Sequence, residues 1–208
     1  MAISIQLNNI GKRYIREWIF RKIDLTISQS DKIVLLGSNG SGKSTLLQII
    51  SNYQLASEGK ITYLNNNKEI EEDKIYQHLS IASPYMELIE DYSPIELIQH
   101  QSIYKPFFNQ LNPKQILEIA ELNHVANKYI KYFSSGMKQR IKIALAVLAD
   151  CPLLFLDEPV SNLDKEAIAW YKNLIKEYAM NKTIIVCSNK ITDEYEFCQK
   201  EINIEVYK

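Results

Sequence analysis

The residues Gly37-Ser38-Asn39-Gly40-Ser41-Gly42-Lys43-Ser44 fit the spacing G-x-x-x-x-G-K-[ST], which gathers small residues, one cation and one hydroxyl around an anion. A glycine-rich turn entering a helix directs successive backbone N–H groups inward, and the helix N-terminus adds its positive dipole end. In such a loop Lys43 reaches the β- and γ-phosphates of a nucleoside triphosphate and the Ser44 hydroxyl ligates Mg2+, with Thr45 continuing into the helix. A second constellation ends the apolar run Leu153-Leu154-Phe155-Leu156 with two acids, Asp157 and Glu158. Carboxyls at the end of a buried strand must face a cation, a cleft or water, because burying them unpaired is strongly unfavourable. Beside a phosphate loop, Asp157 would hold Mg2+ through its water shell, and Glu158 would polarise the water that attacks the γ-phosphate. A third group, Phe133-Ser134-Ser135-Gly136-Met137-Lys138-Gln139-Arg140, opens a helix with Ser134 as its N-cap. A Ser-x-Gly turn at a helix start is also an anion site, and it lies too far along the chain to serve the phosphates held at 37–44. Two phosphate-binding helix ends in one chain predict a site shared between two molecules.

The elements that must position these residues follow from hydrophobic patterning. Ile3, Ile5 and Leu7 alternate with polar residues, as do Ile23, Leu25 and Ile27, and then Ile61 and Tyr63, predicting half-buried strands of an antiparallel sheet. The runs 33–36, 79–82, 153–156 and 183–187 are apolar without alternation, the pattern of parallel strands covered on both faces. Between Pro84 and Ser134 the character is helical, with Pro94 and Pro113 suited to first-turn positions behind the caps Ser93 and Asn112. The expected fold is α/β: a P-loop core with a mainly parallel sheet, an N-terminal antiparallel β subdomain, and a helical lobe at 85–133 inserted between 1–84 and 134–208.

Composition narrows the remaining possibilities. The 208 residues allow one large α/β domain, and a formal net charge of −1 gives no global basic field for nucleic acid. The local cluster Lys12, Arg13, Arg16, Arg21 and Lys22 reads as a solvated face. Cys151, Cys187 and Cys198 lack metal-ligand spacing and read as small buried side chains in a reducing compartment. No apolar leader stands at the N-terminus, and no segment approaches the roughly 18 apolar residues of a membrane span. The sequence therefore predicts a cytoplasmic chain, held at the inner face of a membrane only by another protein.

Taken together, the order of these motifs resembles the nucleotide-binding domains of ABC-type ATPases over essentially the whole chain. Phe133-Ser134-Ser135-Gly136-Met137 resembles the family's signature sequence, which implies that Ser134, Ser135 and Gly136 grip ATP bound to a partner cassette. Ser161-Asn162-Leu163-Asp164 resembles the family's D-loop, which implies a role for Asp164 in communication across a dimer. Tyr14 falls where the family stacks an aromatic ring on adenine. The resemblance implies ATP and Mg2+ as ligands, a head-to-tail homodimer or heterodimer, and an integral membrane subunit as partner.

Two positions depart from the family. Tyr85, after Ala82-Ser83-Pro84, stands where a glutamine belongs, and a neutral phenol is a poor metal ligand. Asn189, after the strand run 183–187, stands where a histidine belongs, and an amide carries no proton at neutral pH. The only histidines, His78, His100 and His124, all precede Asp157. These departures imply retained nucleotide binding with slow hydrolysis in which Lys43, Glu158 and Asn189 act. Family resemblance also places the membrane subunit beside residues 85–92, with Tyr85 and Met86 as contacts. The expected function is the ATP-hydrolysing subunit of a transporter. The alternatives are a nucleotide-gated interaction module with little turnover and a soluble ABC ATPase without a transport role.

Overall fold

A strand buried on both faces needs apolar side chains at every position, whereas a strand at a surface can alternate. The computed structural model describes residues 3–208 and sorts the strands in this way. Strands β1 (Ile3–Tyr14) and β2 (Glu17–Ile27) form a hairpin, and β3 (Lys32–Leu36) leads into α1 (Lys43–Ile50). Next come β4 (Glu58–Asn65), β5 (Lys68–Ile70) and β6 (Leu79–Ala82), then α2 (Pro94–Tyr104), α3 (Pro113–Ile119) and α4 (Ser135–Leu148). The chain closes with β7 (Leu153–Asp157), α5 (Lys165–Tyr178), β8 (Thr183–Ser188) and β9 (Lys200–Asn203). The alternating strands make an antiparallel sheet in the order β2-β1-β4-β5, and the apolar ones make a parallel sheet in the order β6-β7-β8-β3-β9. The expected antiparallel and parallel strands are therefore both present. Edge strand β9 was not anticipated, because Lys-Glu-Ile-Asn carries no apolar run.

Side-chain alternation along the parallel sheet builds two cores. Ile33, Leu35, Leu153, Phe155 and Ile185 face α1 and the antiparallel sheet. Val34, Leu154, Leu156, Ile184 and Val186 face the other way, into a core shared with Leu97 and Ile98 of α2, Ile116 and Leu117 of α3, and the apolar residues of α4 and α5. Ser93 and Asn112 cap α2 and α3 as expected, each with a reciprocal capping box and a proline in the first turn. The helical segment is thus welded to the sheet through α4 and has no separate core.

Every strand of the parallel sheet ends at the same edge. Leu36 is paired with Ser188, Asp157 with Cys187 and Ala82 with Leu156. The loops after β3, β6, β7 and β8 consequently leave side by side, the geometry at which open α/β sheets bind ligands.

Lys182 and Glu194 are ionisable groups buried inside this fold. The Lys182 ammonium donates to the carbonyl of Val147 at 2.7 Å and to that of Ala149, satisfying the C-terminal end of α4, and burial lowers its pKa to about 8. Lys182→Met should destabilise the fold by about 1–2 kcal/mol in chemical denaturation at neutral pH, because two buried carbonyls lose their donor. Glu194 is fully buried, and burial first, with Glu158 and Asp157 adding to it, pushes its carboxyl up to about 7. The Ser188 hydroxyl and the Val160 N–H pull the other way, though neither completes a hydrogen bond of good geometry. The folded state therefore holds this proton more tightly than the unfolded chain, and stability is lost as pH rises from about 4.5 through 7. Glu194→Gln should be more stable than the parent at pH 8 by on the order of 2–3 kcal/mol, with the gain vanishing near pH 4.5. Denaturation midpoints across that range measure it, and a pH-independent difference would contradict the assignment.

Candidate functional site

The loop between β3 and α1 takes its shape from glycine. Gly42 sits at φ 102°, and a Cβ there would meet Ile19 at 2.5 Å, so no other residue fits without displacing the β2 side chain. Lys43 then points back along its own loop. Its ammonium is buried and donates to Gly37 O at 2.9 Å, to Ser38 O at 3.0 Å and to Asn189 Oδ1 at 2.7 Å. An ammonium has three N–H bonds, and all three are committed to neutral oxygens.

Asn189 closes a relay across the sheet edge. Its Nδ2 donates to Glu158 Oε1 at 2.7 Å, so the amide links the loop lysine to the acid after β7. Lysine offers only donors, so the amide oxygen must face Lys43 and the nitrogen must face Glu158; the orientation has no alternative. Glu158 itself adopts φ 45°, a left-handed backbone uncommon for a side chain of this size, and its N–H is held by Cys187 O at 3.0 Å. The neighbouring strand thus fixes a strained residue where the relay ends.

Asp157 lies one residue earlier and is almost completely buried. It accepts from the Ser44 hydroxyl at 3.1 Å and from the Ser83 hydroxyl at 3.4 Å. Burial raises its pKa, Glu158 adds to that, and the two serine hydroxyls and Lys43 oppose it. A buried carboxyl with only hydroxyl donors is suited to a nearby cation. One carboxyl and one hydroxyl match the way Mg2+ binds, with few protein ligands and several retained waters.

A cleft of about 350 Å3 opens in front of this group, lined by Asn39, Gly40, Gly42, Lys43, Ser44 and Thr45 of the loop together with Ile19, Tyr85 and Glu158. Tyr85 is 82% exposed at this mouth. The polar contact to Asp157 from the loop after β6 is supplied by Ser83, a residue that sequence reasoning passed over. Its only signal was a hydroxyl directly after an apolar strand.

Several anticipated residues lie apart from the cleft. Ser134 caps α4, accepting from Met137 N at 3.2 Å, and Gly136 packs against the Asn162 carbonyl, which a Cβ would approach to 3.0 Å. Residues 134–136 take no part in the hydrogen bonds around Lys43. Asp164 caps α5, accepting from Ala167 N at 2.8 Å. Tyr14 is half exposed, accepts from Gln54 Nε2 at 2.7 Å, and has the Lys12 ammonium 5.2 Å from its ring centre. The basic cluster around it is engaged locally: Arg21 pairs with Glu58, and both Arg13 and Arg21 lie over Trp18. Met86 lines a separate groove with Leu88, Glu90, Lys138 and Lys142. In that groove the Lys142 ammonium donates to Ser83 O and Pro84 O, and Lys138 pairs with Glu90, tying the loop after β6 to α4.

Comparison with known proteins agrees with this geometry. A family model described as ABC transporter matches residues 20–161. The sulfate/thiosulfate import ATP-binding protein CysA of Vibrio cholerae is 30% identical, over 88% of this chain and 51% of its own length. The phosphonates import ATP-binding protein PhnC of Fusobacterium nucleatum is 25% identical, over 96% of this chain and 88% of its own length. Among solved structures, a putative ABC transporter ATP-binding protein of Pyrococcus furiosus superposes with a TM-score of 0.78 at 21% identity, covering 99% of both chains. The dimeric bacterial ABC transporter cassette MJ0796 gives 0.79 at 24% identity, covering 97% of this chain and 95% of that one. These two likenesses show the fold. The chain spans 51% of the length of the Vibrio cholerae protein and 62% of that of the uncharacterized ABC transporter ATP-binding protein YcbN of Bacillus subtilis. Because the family model covers more than half of the 208 residues, this chain belongs to the ABC transporter family as an ATP-binding domain.

Proposed function

We propose that this domain binds ATP with Mg2+ in the loop 37–44 and hydrolyses it slowly as the energy-supplying subunit of a membrane transporter. In this reading residues 85–133 act as an inserted lobe on a core of 1–84 and 134–208. The observation that carries it is the relay Lys43–Asn189–Glu158, which joins the phosphate-binding cation to the acid that follows β7, two strands away across β8. To contact β- and γ-phosphate oxygens, Lys43 must exchange at least one of its three present acceptors. If Asn189, once released from Lys43, turns its Nδ2 toward the phosphate, Glu158 Oε1 loses that donor and the carboxyl is left able to orient water. Ser44 and Asp157 would hold Mg2+, which supplies positive charge to the phosphate oxygens when bound. Asn189, freed from Lys43, could donate to the γ-phosphate but could not shuttle a proton there, in keeping with slow turnover.

The second half of the site would come from another cassette. Ser134–Gly136 begin a 14-residue helix whose N-terminal N–H groups have no phosphate to bind in their own chain. A head-to-tail pair would bring them over the loop 37–44 of the partner, with Asp164 near the contact and Tyr14 against adenine. The membrane subunit would dock at Tyr85, at the mouth of the cleft, and at Met86, in the separate groove whose Lys138 and Lys142 contacts lead to the same helix. Such a domain works on the cytoplasmic face of the membrane; no described helix is long and apolar enough to cross one. The relatives named for sulfate and for phosphonates differ in cargo at comparable identity, so the ATP-binding domain carries no substrate assignment.

Glu158→Gln should accumulate ATP-bound dimers in sedimentation velocity with Mg2+ at about 10–50 µM protein, while Lys43→Ala should abolish ATP binding. Glu158→Gln protein that stays monomeric at saturating ATP would argue against self-pairing and for a heterodimer. Met86→Asp should reduce co-purification with the membrane subunit while leaving ATP affinity within about threefold, since Met86 lines the groove and not the ATP cleft. Tyr85→Ala should affect both, because Tyr85 stands at the mouth of the cleft. Loss of ATP affinity in Met86→Asp equal to its loss of association would remove the docking role.

A further inference from the structure

The C-terminal turn touches the phosphate loop directly. Strand β9 runs parallel to β3 with Asn203 opposite Leu36, so the two chains leave the sheet together, one into Gly37 and the other into Ile204. Ile204 is fully buried, and the Asn203 side chain accepts from Glu205 N at 3.1 Å, which fixes the turn Ile204–Tyr207. The Glu205 carboxyl thereby meets Ser38. Its Oε1 accepts from Ser38 N at 3.0 Å and from the Ser38 hydroxyl at 2.5 Å. These two bonds hold the carboxyl below the usual range, against a small opposing effect of burial and with Lys208 and Lys190 helping.

Ser38 is the residue on which the loop's first turn hangs. Its carbonyl accepts from Lys43 Nζ at 3.0 Å and from Ser41 N at 3.1 Å. The loop thus holds Ser38 on its carbonyl side, and Glu205 is the anchor on its N–H side. Without Glu205 the Ser38 N–H and hydroxyl would face solvent, since Ser38 is exposed, and these two groups would have no acceptor from outside the loop. We propose that Glu205 is a positioning residue for nucleotide binding, acting through Ser38 to keep the phosphate loop in its binding shape. Nothing in the motif spacing points to it, because it lies 167 positions from Ser38.

The sign of its effect separates this role from plain charge. A carboxylate close to a phosphate site repels the ligand, so on electrostatic grounds alone its removal tightens ATP binding. A brace has the opposite consequence: its removal loosens the loop and weakens binding. The inference rests on the loop 37–44 being the ATP site, which Lys43→Ala tests separately. Equilibrium binding of ATP with Mg2+ and steady-state ATPase kinetics should be measured for the parent, Lys43→Ala, Glu205→Ala and Glu205→Gln. Glu205→Ala should raise Kd and KM by about three- to tenfold, the loss of one or two hydrogen bonds, with kcat at saturating ATP within about twofold. Glu205→Gln retains an acceptor oxygen and should fall between Glu205→Ala and the parent. Unchanged or tighter ATP binding in both Glu205 variants, with Lys43→Ala still inactive in binding, would overturn the bracing role and leave the ATP site intact. Binding that survives Lys43→Ala would instead overturn the site itself. Should Glu205→Ala fail to fold, Glu205→Gln still decides, because a brace predicts weaker affinity than the parent, and unchanged or tighter affinity would overturn it.

Discussion

A buried ammonium with no carboxylate bonded to it is costly to fold around, and Lys43 is such a group. Its three acceptors are two main-chain carbonyls and the Asn189 amide oxygen, all neutral. Neutral dipoles satisfy its hydrogen bonds without cancelling its charge. An anion arriving beside it therefore gains more than it would from a lysine already held in an ion pair. The surrounding design protects that uncancelled charge. The acid Glu158 is held one amide away from Lys43, and Asp157 is turned toward the hydroxyls of Ser44 and Ser83.

Holding these groups at a fixed distance requires the parallel sheet. Strand β8 lies between β7 and β3, so the residue following it necessarily sits between the acid after one neighbour and the loop after the other. Asn189 bridges the two because of strand order, not because of closeness in sequence. Alternation along the same strands places α1 and the antiparallel sheet beneath the phosphate loop and α4 on the opposite face. The N-terminal ends of α1 and α4 are thus carried on opposite faces of one sheet.

Most of this was legible from residue order. The phosphate loop, the acids after β7, the four apolar strands and the capped helices all rest on local patterns, and local patterns survive without an alignment. What escaped was set by tertiary register. Strand β9 is an edge strand whose Lys, Glu and Asn side chains reach solvent, so it has no hydrophobic signature. Ser83 and Glu205 matter because neighbouring strands end level with one another, and pairing register is not written in a single segment. Tyr85 shows the opposite case. The resemblance marks its position as one where an amide is expected, but only the fold shows that the serine two residues earlier supplies the polar contact to Asp157.

The amide at position 189 has a consequence that a charged or titrating group would not. With Lys43 on one side and Glu158 on the other, its oxygen and nitrogen are each assigned to one partner, and the amide itself neither gains nor loses a proton near neutral pH. A histidine could bridge the same two groups only in one tautomer and only while neutral, so protonation would break its contact with Lys43. Burial pushes the Glu194 carboxyl up to about 7, so a group that titrates near neutrality lies outside this relay. A chain arranged this way couples its loop lysine to Glu158 through a single amide. What it gives up is a group able to carry a proton through the reaction, which is the physical reason to expect firm nucleotide binding together with slow hydrolysis.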